Sequence, residues 1–175
     1  MRRTGTTRRG AFTATGAIAM GAVLAGCGDG TERRKDSAGT DATTAAEQAA
    51  AARVEKTLRA GAARTSRELL AQYEQVVSAH PATAAGLSVL RDAVRAHATA
   101  LAPDDGKAPA APPSPPADAG AAVKELAAAE RRASDAHTAT LLTAPPELAR
   151  LLASIAAAGA AHVYLLTELA KETSS

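Results

Sequence analysis

Between about Ala42 and Ala79 the larger side chains recur at helical spacing, with Val54, Leu58, Thr65, Leu69, Tyr73, Val76 and Val77 on one stripe. Asp41 is the expected cap of this first helix. Its leading half carries only Val54 and Leu58 as large apolar residues, and Gly61 interrupts it, so that half reads as a stalk or as a segment that breaks away at the glycine. Pro81 disfavours helix at His80 and forces a turn. A second helix, about Thr83 to Leu101, sets Leu87, Leu90, Val94, Ala98 and Leu101 three and four apart. A third begins near Asp118 as cap and turns Val123, Leu126, Ala127, Ala133 and Leu141 inward. A fourth opens at "APPEL", where prolines suit a first turn and Glu147 suits the positive end of the helix dipole. Its stripe of Leu148, Leu151, Leu152, Ile155, Leu165, Leu166 and Leu169 is the strongest in the chain.

Two stretches break the pattern. Residues 27–40 are polar and glycine-bearing and read as a flexible tether. The stretch 103–120 holds six of the nine prolines and reads as an extended crossover or disordered loop. Short connections before the second and fourth helices make antiparallel hairpins, and the proline-rich loop joins them. The expected fold is all-α, an antiparallel four-helix bundle over residues 41–175.

Ahead of residue 27 the pattern changes again. Arg2, Arg3, Arg8 and Arg9 precede a run of Ala, Gly, Thr and a few larger apolar residues from Ala11 to Ala25, with no acid before Cys27. That run is shorter than the roughly 20 residues that a membrane span needs, so residues 1–26 read as a removable export signal. Leu24, Ala25, Gly26 and Cys27 spell "LAGC", which resembles the bacterial lipobox. The resemblance implies cleavage before Cys27 and acylation of its sulfur with palmitate-type chains, two of which suffice for stable anchoring. The stretch "TTRRGAF" is similar to a twin-arginine export signal, with Arg8 and Arg9 as the pair and Phe12 one place later than usual. General secretion is the alternative route. The expected address is the cell membrane, on its extracytoplasmic face.

Loss of the signal leaves 16 basic residues against 18 acids, so a formal +2 becomes about −2 and the electrostatic footprint of a nucleic-acid binder disappears. With no tryptophan, two tyrosines and a single phenylalanine inside the signal, there is no stacking platform for bases or sugars. Alanine dominates the apolar content; it favours helix and buries little area, which implies a thin core. A single cysteine offers no redox pair, and no phosphate loop or nucleophile elbow is present.

The remaining chemistry is four histidines on or near the apolar stripes, His80, His97, His137 and His162, and Glu130, in line with Val123 and His137. A carboxylate on an inner stripe needs a partner. If both hairpin turns share one end of the bundle, a rise of about 1.5 Å per residue sets Glu68, His97, Glu130 and His162 at roughly 17, 21, 18 and 24 Å depth, with His80 and His137 at the top. One such layer resembles the ferritin-like di-iron bundles, in which two helices give single glutamates and two give Glu-x-x-His. Here Val94 precedes His97 and Gly159 precedes His162 where that family has glutamates. The metal motif is therefore degenerate, and the whole is similar to actinobacterial lipoproteins with ferritin-like bundles that have lost their metal ligands.

Two readings follow. In the first, the chain is a membrane-tethered structural or interaction protein, not an enzyme and without a cofactor, whose partners are the membrane through lipidated Cys27 and a protein at the cell surface. Glu130 then pairs internally with His97, His137, His162 or an edge arginine such as Arg131. In the second, His97, Glu130 and His162 hold a single transition metal, Zn, Fe or Ni, or frame a small-ligand site.

Overall fold

The computed structural model describes residues 36–102 and 108–174, with side chains from Thr44. The export signal with Arg8 and Arg9, the Leu24, Ala25 and Gly26 motif and Cys27 lie outside the described residues. All regular structure among the described residues is helical: α1 (Asp36–Ala79), a single 3-10 turn (Pro81–Thr83), α2 (Ala84–Leu101), α3 (Ala119–Leu141) and α4 (Pro146–Thr173).

The start of α1 corrects two expectations. Helix reaches back to Asp36, so residues 36–40 are not tether and Asp41 lies inside the helix rather than capping it. Once a helix is nucleated each added residue is cheap, and acids near its N-terminus complement the dipole. Nor does Gly61 break the helix. Leu58 before it and Ala62 and Ala63 after it pack into one core cluster, which offsets the roughly 1 kcal/mol that a helical glycine costs. The Asp118 cap forms as the pattern predicts, its carboxylate accepting from the Ala121 N–H at 2.7 Å.

Contacts between helices give their relative directions. Tyr73 meets Glu130 and Ser66 meets His137, so α3 descends as α1 rises. Ser134 donates to the Ala156 carbonyl while Gly120 lies beside Ser174, and α4 therefore opposes α3. Arg95 reaches back to Glu74 across the α1–α2 hairpin. The His80 Nε2–H donates to the Pro116 carbonyl at 2.8 Å, which seats the α1–α2 turn beside the start of α3. The two hairpin turns thus lie at opposite ends, and the shared-end depth count fails: His137 is far from His80. The physical reason lies in the long connection after Leu101: its described part, 108–118, holds no helix, and Pro112, Pro113, Pro115 and Pro116 keep that part extended, which lets the chain return the length of α2, about 27 Å.

The core falls into two clusters. One gathers Leu69, Tyr73, Val76, Leu87, Leu90, Val94, Val123, Leu126 and Leu166; the other gathers Ala62, Ala63, Leu101, Leu148, Leu152 and Ile155. The α2 stripe is buried throughout. Two stripe residues are exposed instead: Val54 is 56 % exposed because it precedes the first α1 residue to reach the core, Leu58, and Leu165 is 49 % exposed because it falls off the arc set by Leu166. Helix α4 is long and apolar enough by length and composition to cross a membrane, a property shared with core helices; here it lays Leu148, Leu152, Ile155, Gly159 and Leu166 inward.

Candidate functional site: a buried polar layer

Between the two apolar clusters lies a layer of polar side chains drawn from all four helices. Its centre is Glu130 of α3, only 2 % exposed. The Tyr73 hydroxyl of α1 donates to Oε2 at 2.9 Å, and His162 Nδ1 of α4 lies 3.0 Å from Oε1, donating as Nδ1–H to the carboxylate. His97 of α2 stacks on His162 with ring centroids 6.2 Å apart and planes 16° from parallel. Two turns earlier on α1, Ser66 Oγ lies 3.2 Å from His137 Nε2, while His137 Nδ1 is buried with no partner among the described residues.

Close helix approach makes this layer. Gly159 of α4 sits against α3, where an added Cβ would stand 3.2 Å from Ser134 Cβ and 3.4 Å from Glu130 Oε1. A side chain there would press on Ser134 and touch the carboxylate, so glycine gives the closest fit of α4 to α3. Beside it lies a small cavity lined by Ser66, Val94, His97, Glu130, Ser134, His137 and Gly159, among others.

Burial governs the electrostatics. It pushes the Tyr73 phenol well above its ordinary range, and the neighbouring Glu130 carboxylate adds to the effect, so the hydroxyl stays a donor. It also holds His97 and His137 below the ordinary imidazole value. The next imidazole reinforces this, His162 for His97 and His97 for His137, while Glu130 opposes it. Both rings are therefore neutral near pH 7.

Of the expected layer, Glu130, His97 and His162 do come together. Glu68 does not: it is exposed, on the rim of a shallow groove shared with Gln72 and Arg132. Its α1 position is taken by Tyr73, and His137 joins from α3. His80 lies apart, at the α1–α2 turn. Among the described residues no group of three His, Cys, Asp or Glu side chains is set to hold a metal ion. Sequence reasoning missed Tyr73 and Ser66 as polar members. The available signal was their spacing of seven on α1, matching the seven between Glu130 and His137, together with the need of a buried tyrosine hydroxyl for a partner. No protein-family model, curated protein or solved structure matches the chain.

Proposed function

We propose that the chain is an exported lipoprotein, anchored through acylated Cys27, that presents an antiparallel four-helix bundle outside the cytoplasmic membrane in a structural or protein-interaction role. The observation that carries the structural part is the internal partnering of Glu130: both carboxylate oxygens accept from donors on neighbouring helices, so the buried acid is accounted for by its role in joining helices. A degenerate ferritin-like bundle accounts for the architecture, with one long crossover between two hairpins. Val94 and Gly159, the positions where that pattern has glutamates, line the polar cavity, so apolar or absent side chains stand where metal-binding carboxylates belong. Residues 44–54 are exposed throughout and the core begins at Leu58, so about 20 Å of α1, from Thr44 to Leu58, stands clear of the bundle as a stalk at the end of the domain that follows Cys27 in the chain.

The test is labelling of the full chain, in a bacterium that processes lipoproteins, with a palmitate analogue. Wild type takes up label and fractionates with membranes; Cys27→Ala does neither. Labelling retained in the variant, or absent from both, refutes the anchor. The second reading, a single metal held by His97, Glu130 and His162, draws on the His97 ring, which stacks beside His162 and makes no hydrogen bond among the described residues. Metal content after exposure to Fe, Zn, Ni and Mn, compared with His162→Ala, decides it: near-stoichiometric metal lost in the variant replaces the structural reading.

A further inference from the structure

We infer that the cavity in the polar layer is a binding site for one internal water molecule, held between His137 Nδ1 and the Glu130 carboxylate. The space open to the centre of a water-sized sphere is about 10 Å³, about what a single water occupies. Its lining is polar on several sides, as such a water requires: Ser66, His97, Glu130, Ser134 and His137 come from three helices. His137 is 3 % exposed, and its Nδ1 is the one buried side-chain nitrogen or oxygen among the described residues without a partner. A buried polar atom left bare is destabilising, and a bridging water removes that penalty.

The neighbouring bonds set the water's orientation. Ser66 Oγ makes no other hydrogen bond, so its O–H donates to His137 Nε2 and the ring proton sits on Nδ1. Nδ1–H then donates to the water oxygen. The water gives one proton to Glu130, whose oxygens each keep a free lone pair after accepting from Tyr73 and His162, and the other to His97 or to Ser134 Oγ. Ser66, His137, the water, Glu130 and Tyr73 become one continuous chain joining α1 to α3 at two heights. A water suits this site better than a cation, because Glu130 already accepts two donors and no group of three ligating side chains among the described residues converges on an ion.

A crystal structure of the protein at a resolution that orders internal waters tests this, together with cross-relaxation between water and the His137 ring proton in solution. The expected result is one peak of water weight within hydrogen-bond distance of Nδ1 and of Glu130, and a long-lived water signal at that proton. A cavity without density, a peak with the anomalous signal of a transition metal, or a His137 ring protonated at Nε2 overturns the assignment.

Discussion

Replacing Glu130 by alanine removes the acceptor shared by two helices and leaves the Tyr73 hydroxyl and the His162 Nδ1–H buried without partners. Each of the two orphaned donors costs about 1–3 kcal/mol, so the expected loss is about 3–5 kcal/mol. For a folded region of about 130 residues each kcal/mol corresponds to roughly 3–4 °C, which puts the fall in Tm at about 10–20 °C. Glu130→Gln keeps one acceptor for Tyr73 and one donor for His162 after a change of imidazole tautomer, and should lose only about 1–2 kcal/mol. The assay is urea and thermal unfolding followed by helical circular dichroism. A loss below about 1 kcal/mol for Glu130→Ala, or equal losses for the two variants, refutes the claim that this carboxylate holds the helices through its two hydrogen bonds.

Acidification should destabilise the fold. His97 and His137 are held below the ordinary value of about 6.5, so the unfolded chain takes up their protons first; the stability they represent is complete above that pH and drains away as pH falls towards their folded values. The slope is at most about 1.4 kcal/mol per pH unit for each histidine, and Tm measured against pH, with His137→Gln as the comparison, reads it; stability that rises on acidification contradicts the cause given. Asp118→Ala, which removes the cap on the Ala121 N–H, should cost about 0.5–2 kcal/mol in urea unfolding, with Asp118→Asn nearly neutral.

Helix existence was legible because four apolar stripes at helical spacing survive even in alanine-rich sequence, and the α2 stripe of Leu87, Leu90, Val94, Ala98 and Leu101 is the buried face without exception. What the pattern could not carry was relative direction. Counting rise per residue requires knowing which turns share an end, and that depended on whether the 103–118 connection folds back locally or runs the length of a helix. Glu130, His97 and His162 were recognisable as polar residues on inner faces. Tyr73 and Ser66 were not, because a tyrosine on an apolar stripe reads as bulk and a serine reads as a small helix residue until a partner helix is placed opposite. Glu68 was misplaced for a related reason: a depth count fixes height and ignores the angle around the helix.

The thin core gives the polar layer its purpose. Ala62, Ala63, Ala122, Ala127, Ala129, Ala133 and Ala156 make much of the interior, and such surfaces can slide by one turn while burying nearly the same area. Tyr73, Glu130 and His162 cannot slide: a shift of one turn, about 5.4 Å, breaks both bonds to the carboxylate. The layer therefore fixes the register of α1, α3 and α4 while adding little net stability, since a buried charged cluster is commonly no better than apolar packing of the same shape. A triple variant, Tyr73→Phe with Glu130→Leu and His162→Leu, separates the two roles. It should unfold within about 2 kcal/mol of wild type, far above Glu130→Ala alone, yet show broadened amide resonances and faster amide hydrogen exchange as registers mix. A triple variant with sharp, single-conformer spectra would show that the apolar stripes alone set the register and that the layer is dispensable for it.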